Sequence, residues 1–575
     1  MGQQAASCCE ELRGAATKQS VPGSAGKVAV HAAVEDGVPM ESFDVDDNTP
    51  EKADRPAVPP PAGLAGAAVV STPSSVSGSL KRVQSRHSRL ATGSQLEVDE
   101  DIVRAVSLAT TLRSFGSAWR VNPQHLSPTE LSRLWDASQP ADSIDIFVSH
   151  TWSTPGHQKY VSLLLSSYWR YALGGWIIAA ISVGLLYTGS LLPLPFKALS
   201  GLAPGNGVDA APWIHVFSPF IALLSLVCAP YISSNCSSTT SCFLDVVLCT
   251  IFRSVSTNQM HSNKSEAVCS RRGIYGIGGF LAVSRELRVL WSPPYMSRLW
   301  CVFEIAAFRK ANPLGKLVFQ PLFIERDVLA NWLGTYLLVS TLILFIAIGA
   351  GRSSTAPRII FLGICCFGLL PAVHYVRKGY SEQEQISQSL SQFDVSALQC
   401  FSDFDKRFIH SAVMQWYGSL EEFNMFVRGP LKDEILQTML VSRVPLHYII
   451  LSITPVTGIQ LDLLAALLAA GLPFEAWGKW LFGQLLALNM LVVCETKCFF
   501  WLSKRFAKPL FSHPALDFGQ TLLVVLLFAC CLLPPFFVVF IAYNTSLMGA
   551  IFTSLAAVAI LGITFSTKPC CPRRF

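Results

Sequence analysis

Five side chains with useful chemistry stand just beyond two short apolar runs. Ser149, His150 and Trp152 follow Ile144-Asp145-Ile146-Phe147-Val148, and Ser292 and Tyr295 follow Leu287-Arg288-Val289-Leu290-Trp291. Each run reads as a strand that ends in a polar turn and hands over to helical spacing, the unit of a parallel α/β sheet. Ligands of open sheets bind beyond the carboxyl ends of the strands. Hydroxyls, an imidazole and an indole thus stand where such a ligand would lie. A second set, Asp462, Glu495 and Lys497, falls within or near strongly apolar stretches. Ionisable groups at membrane depth are costly and often functional, although snorkelling within a turn or two of the interface accounts for all three more cheaply.

The elements that must position the first set can be read in order. Residues 97–112 have helical apolar spacing, and Ser127-Pro128-Thr129-Glu130 is a capping-box start with Pro at the first helical position. Strands are expected at 144–148, 242–250, 287–291 and 316–323, with helices at 157–170, 273–285 and 297–309. The run 242–252 is too short to cross a bilayer and contains Asp245, so it reads as a buried strand.

Composition sets the rest. The 575 residues are 51% hydrophobic and only 14% charged, with a mean hydropathy of +0.42; soluble domains usually carry about 25% charge. Uncharged stretches long enough for a hydrocarbon core of about 30 Å recur. Spans are expected at 171–192, 213–232, 328–350, 359–376, 446–470 and 477–502, and residues 518–567 hold two more with a turn at Asn544-Thr545-Ser546. Pro534-Pro535 would kink the first of that pair. Arg170, Arg253, Lys264, Arg271, Arg272, Arg377, Lys378, Lys504, Arg505, Lys508, Lys568, Arg573 and Arg574 fall on one side of this arrangement, against Lys197, Arg352 and Arg358 on the other. Both termini and every sizeable extramembrane segment are therefore expected in the cytoplasm, which leaves the sequons at Asn235 and Asn263 unused. The formal charge of +6 is not gathered into a stripe, so nucleic acid is not an expected partner; the lipid bilayer is.

Residues 1–95, rich in Ala, Ser, Pro, Val and Gly, read as a disordered cytoplasmic tail without a signal peptide. Gly2, Cys8 and Cys9 suggest lipidation, but Ala6 stands where myristoylation wants Ser or Thr. The cysteines have no metal-site spacing and read as buried, reduced thiols; no metal is expected.

Two segments carry a family resemblance. Ile144-Asp145-Ile146-Phe147-Val148-Ser149 looks like the opening strand of Toll/interleukin-1 receptor (TIR) domains. Tyr295-x-Ser297-x-x-Trp300-Cys301-x-x-Glu304-Ile305 resembles the "S-x-W-C-x-x-E-L" helix of the same family. Both also look like predicted polytopic proteins of dinoflagellate-type protists that pair "SHTW" with "SRLWCVFE" and begin the second strand with "CFLD", here Cys242 to Asp245. The resemblance covers about 150 of the 575 residues. It implies a flavodoxin-like parallel sheet split by a pair of transmembrane helices, with Asp245 at a strand end near the site. It also implies self-association through domain faces, hence a homo-oligomer, and signalling or scaffolding. Catalytic members cleave the nicotinamide–ribose bond of NAD with the Glu of that helix, which falls on Glu304. NAD is thus the candidate substrate. A lone carboxylate suits that reaction, because departure of nicotinamide leaves an oxocarbenium-like ribose that an anion stabilises.

The chain is accordingly expected to be a multi-pass α-helical membrane protein of about eight transmembrane helices with a split cytoplasmic α/β domain. Residues 96–170 and 233–326 form the two parts of that domain, 171–232, 327–376 and 446–567 the membrane helices, 377–445 a cytoplasmic helical segment and 568–575 a cytoplasmic tail. Plainer readings stand beside the sharp ones. Glu304 can lie on a solvated face or pair with Arg298 or Arg309. His150 can be a packed or capping residue, and Trp300, Cys301 and Phe303 can be core. Two rival functions are an inert interaction module and a transporter or channel built around Asp462 and a helix break at Pro455–Gly458.

Overall fold

The computed structural model describes residues 103–120, 136–198, 208–232, 240–243, 276–347, 355–400, 402–441 and 444–566, together with Leu96 and Thr129. Asp245, Gly2, Cys8, Cys9, Asn235 and Asn263 lie outside the described residues, as do the proposed cap at 127–130 (Thr129 aside) and most of strand 242–250.

Strands β1 (Arg104–Ser107), β2 (Gln139–Pro140), β3 (Ile144–Ser149), β4 (Phe196–Ala198), β5 (Val208–Ala210), β6 (Ser241–Phe243), β7 (Ser284–Trp291) and β8 (Lys316–Pro321) are formed. Six make a mixed sheet in the order β2-β1-β6-β3-β7-β8, and β4 pairs with β5 as a separate hairpin. β3 lies parallel to both β6 and β7, and β7 parallel to β8, while β1 is antiparallel to β6 and β2. The parallel strands therefore stand second, first, third, fourth, a doubly wound order whose winding reverses between β3 and β7. Residues 104–107, expected to be helical, are strand instead. Val106 pairs with Cys242 and is buried, so pairing with β6 and β2 on either side overrides the local helical pattern. β7 begins at Ser284 rather than Leu287 because its pairing with β3 extends back to Ile144.

The helices are α1 (Leu108–Arg120), α2 (Gly156–Thr188), α3 (Trp213–Ile232), α4 (Ile277–Ala282), α5 (Leu299–Ala311), α6 (Leu322–Ala347), α7 (Thr355–Ser391), α8 (Asp403–Tyr417), α9 (Leu420–Phe426), α10 (Lys432–Val441), α11 (Leu446–Ala469), α12 (Phe474–Arg505), α13 (Pro514–Thr545) and α14 (Leu547–Ser566). Of the glycine-rich helix expected at 273–285, α4 is formed, Ser284 and Arg285 belong to β7, and residues 273–275 lie outside the described residues. Among the described residues six helices, α2, α3 and α11 to α14, are long and apolar enough to cross a bilayer, and they make this an integral membrane protein. α13 runs without interruption through Pro534 and Pro535, and only Ser546 separates it from α14, where its Oγ accepts from Gly549 N at 3.0 Å.

Domain and bundle are joined by helices rather than loops. The expected helix at 157–170 and span at 171–192 are one helix, α2, whose 33 residues extend about 50 Å. Its first turns bury Leu163, Leu164 and Tyr168 in the core that holds Ile146, Val148 and Leu290 of the sheet. Further along it exposes Ile177, Ile178, Ile181 and Leu185, the surface a lipid-facing helix presents. β8 passes directly into α6 at Leu322, and α7 runs past its expected end to Ser391, burying Ile386 and Leu390 beside Phe303 and Phe308 of α5.

Asp462 does not snorkel. It is 1% exposed, and its two carboxylate oxygens accept the backbone N–H groups of Ile214 and His215 at 2.8 and 2.9 Å, capping α3 from α11. Lys497 reaches the carbonyl of Thr564 on α14, and Glu495 is half-buried on α12. α2 and α3 meet at Gly175, where a Cβ would stand 2.7 Å from Ser225 Cβ. Small residues allow such close backbone approach between membrane helices. Gly175→Leu is expected to push α2 off α3 and cost about 1–3 kcal/mol, as overpacked sites do, seen as a lowered unfolding temperature of the detergent-solubilised protein.

Candidate functional site

The carboxyl edge of the sheet is where the distant segments of chain meet. β3 alternates, with Phe147 on the face covered by α4 and α5 and Ile146 and Val148 on the face covered by α2. Ser149 continues the first face and His150 the second. The strand end therefore serves two neighbourhoods.

On the first face, β7 ends at Trp291 and the chain turns through a 3-10 segment at Tyr295–Ser297 into α5. Tyr295 N donates to Ser292 O at 2.9 Å, which fixes the turn. Two bonds to a neighbouring strand-like segment hold the start of α5, with Leu299 N donating to Gln399 O at 3.0 Å and Gln399 N to Ser297 O at 2.9 Å. The inward side of α5 buries Leu299, Val302, Phe303, Ile305 and Ala306. Glu304 is half-buried at the edge of that packed side. Ser149 Oγ donates to Glu304 Oε2 and is bonded to the hydroxyl of Tyr295, which also stands 3.3 Å from the carbonyl of Cys301. Tyr295 is wholly buried, and that burial, with Cys301 and Glu304 nearby, holds its pKa well above 10.0. It remains a neutral phenol and a donor. A hydroxyl, a phenol and a carboxylate are thus tied together at the point where the winding reverses.

The two arginines considered beside Glu304 differ in setting: Arg298 precedes α5, and Arg309 lies in its last turn. Arg309 is bound to Glu434 and, at 2.6 Å, to Gly315 O. Its helix is covered instead by aromatic rings of α8: Phe303 lies 6.1 Å from Phe408 and 5.5 Å from Trp416. Tyr417 OH donates to Ala306 O at 3.0 Å.

The remaining predicted residues divide. Ser292 is buried and shares a 2.5 Å hydrogen bond with Thr154, latching the loop after β3 to the end of β7. His150 and Trp152 are not in the Glu304 cluster. The His150 ring lies edge-on to Trp119 at 5.5 Å and to Trp152 at 4.6 Å, and Lys159 Nζ stands 4.7 Å from the centre of the Trp152 ring. Burial, and then the charge of Lys159, push the His150 pKa well below 6.5, so it is a neutral ring and no general acid near pH 7. Cys301 is buried with Sγ 3.7 Å from His150 O, and burial pushes the Cys242 thiol up to about 12, so neither reads as a nucleophile. Asp245 contributes nothing that can be described. Among the described residues no cluster of His, Cys, Asp or Glu could hold a metal ion.

No protein-family model matches the chain. Neither a curated protein nor a solved structure matches it.

Thr154, Lys159 and Trp119 complete this edge and were not singled out by the sequence. Lys159 had a signal: it stands one turn before Leu163 in the apolar stripe of α2, where a buried cation needs a reason.

His150 supplies a pH test. Neutral when folded, it takes up a proton only on unfolding below its ordinary value of 6.5. The stability it contributes is present above that pH and is lost as pH falls, by up to about 1.4 kcal/mol per unit. His150→Phe is expected to flatten that acid limb in thermal unfolding measured across the range.

Proposed function

We propose that this protein is a membrane-anchored TIR-like signalling module whose cytoplasmic α/β domain cleaves the nicotinamide–ribose bond of NAD. The single observation that carries the reading is that Ser149, at the end of β3, bonds both Glu304 and the hydroxyl of Tyr295 from the β7–α5 turn, at the reversal of the sheet. That is where ligands of doubly wound sheets bind, and the carboxylate is the group that the family resemblance makes catalytic.

The chemistry follows from the side chains. As the C–N bond to nicotinamide breaks, its electron pair leaves with the base and positive charge spreads over the ribose carbon and ring oxygen. Glu304 stabilises that cation. Ser149 holds the carboxylate, and Tyr295 in turn holds Ser149. Water adds to the same carbon, giving nicotinamide, ADP-ribose and a proton. In this reading α6 and α7 cross as well, for eight spans, both termini face the cytoplasm, and copies associate through the faces of the α/β domain. A transporter reading draws less support, since the Asp462 it relied on caps α3 with both carboxylate oxygens.

Two measurements test the proposal. Purified protein incubated with NAD should release nicotinamide, and Glu304→Ala should slow that release by about two to three orders of magnitude, the usual loss for one preorganised charge-stabilising group. Unchanged release in the variant would reject Glu304 as the catalytic residue. For the topology, Asn235 and Asn263 should remain unmodified on expression in a glycosylating host, and a glycan on either would overturn it.

A further inference from the structure

The junction between sheet and bundle holds an ionisable group that the Glu304 site does not use. Glu325 lies in the first turn of α6, which continues β8 without a loop, and it precedes the span expected from residue 328. It is only 5% exposed. Three helices meet around it. Ser162 Oγ of α2 donates to its Oε2 at 2.9 Å and Tyr448 OH of α11 to its Oε1 at 3.2 Å, while Gln320 Nε2 of β8 donates to the same Ser162 Oγ at 2.8 Å. All of these donors are neutral. A carboxylate withdrawn from water without a cation is costly, and such a group takes up a proton instead. Burial accordingly raises the Glu325 pKa from its ordinary 4.5 to about 7, and the donated hydrogen bonds only partly oppose that rise.

The charged groups on the surrounding elements are engaged elsewhere. On α2, Lys159 lies 4.7 Å from the centre of the Trp152 ring and Arg170 5.5 Å from that of Trp169. His447 of α11 stacks on Trp169 at 4.1 Å. On α6 itself Arg326 binds Asp327 at 2.9 Å and lies over Tyr375 of α7. Asp327 also faces α7, where a Cβ at Gly379 would stand 3.2 Å from its Oδ2 and where the charge of Glu382 acts on it. Among the described residues Tyr448 is therefore the ionisable group that bonds Glu325.

We propose that Glu325 is a proton-controlled latch between the α/β domain and the membrane bundle: protonated, it closes the seam of α2, α6 and α11, and ionised, it opens that seam to water. The protonated acid can still bond both neighbours and leaves no charge in the seam. The carboxylate needs hydration, which only an opened seam supplies. Between pH 4.5 and about 7 the closed seam keeps a proton that the open one has lost. Closure is therefore strongest at the acid end of that window, weakens as pH rises through it and weakens no further above it. Acid on the domain side locks the sheet to the bundle, and neutral pH releases it.

Hydrogen exchange reads the seam directly, in the full-length protein in phosphatidylcholine nanodiscs. The amides at 162–166 and 325–329 are followed from about pH 5 to about pH 8, corrected for the intrinsic pH dependence of exchange. Protection in the wild type should fall by up to about tenfold per pH unit as far as about pH 7 and then level off. Glu325→Gln keeps the shape without the charge and should hold protection flat to within about threefold. His150 cannot produce the fall, since the stability it contributes increases with pH. Tyr448→Phe leaves the carboxylate in place and removes one donor to its charged form, so the fall should extend to higher pH. Wild-type protection that does not change with pH, a Glu325→Gln protein that falls as steeply as the wild type, or a Tyr448→Phe curve that does not move would each overturn the latch. Release of nicotinamide is not measured here, so the latch and the Glu304 chemistry can fail separately.

Discussion

A single helix must satisfy two solvents, and the architecture depends on how α2 does so. Its amino-terminal part is the first helix of the α/β sheet and its remainder is lipid-facing. At 33 residues it is longer than a hydrocarbon core of about 30 Å requires. No flexible linker separates the two halves, so the sheet cannot reorient without bending or shifting this helix. α6 imposes the same constraint from the other side, following β8 without a loop. Between them lies a buried polar seam. Gln320 Nε2 donates to Ser162 Oγ at 2.8 Å and to Ser166 Oγ at 3.1 Å; Ser162 donates to Glu325 at 2.9 Å, and Tyr448 of α11 donates to Glu325 at 3.2 Å. Polar networks of this kind are costly when broken and fix one arrangement when complete. Here the network binds strand, both connecting helices and the bundle to one another.

The same constraint explains how a domain interrupted by membrane helices forms one sheet. A pair of spans returns the chain to its starting side, and β6 and β7 then close on both sides of β3. The strand brought in from before the insertion becomes the central one, and its polar end can only be satisfied by what arrives after it. Ser149 finds its partners 146 and 155 residues later. The Ser149–Tyr295–Glu304 cluster therefore exists only when both pieces of chain have assembled.

Much of this was legible in the sequence, and the failures are local. The apolar runs at 144–148 and 287–291 became β3 and the end of β7, because short apolar runs bounded by polar turns have few alternatives. Where the sequence misled, tertiary pairing or burial decided. Residues 104–107 carry a helical pattern, but a position between β2 and β6 supplied the hydrogen bonds of a strand. His150 and Trp152 read as neighbours of Ser149 because they are adjacent in sequence; strand alternation sends His150 to the opposite face, and Trp152 packs beside it. Lys159 was passed over because a charge at the start of a helix usually faces water, and only packing shows that this one does not.

Asp462 shows the same rule inside the bilayer. A helix that begins within a membrane bundle presents backbone N–H groups with no water to meet them, and each one left unsatisfied there costs several kcal/mol. α3 begins in this way at Trp213, and its Ile214 and His215 amides are met by one carboxylate from α11. The His215 ring is fixed in turn, with Nε2 2.9 Å from Ser340 Oγ and Nδ1 3.2 Å from the carbonyl of Pro455. Pro455, which cannot donate to the helix ladder, lies where the transporter reading places a helix break. Its own carbonyl instead becomes an acceptor that ties α11 to α3, and α11 stays helical from Leu446 to Ala469. The polar groups of the bundle thus serve to join four helices, α3, α6, α11 and, through the Trp176–Tyr336 bond of 2.8 Å, α2. The membrane helices hold the sheet in place, and the side chains suited to chemistry are gathered at the sheet's edge.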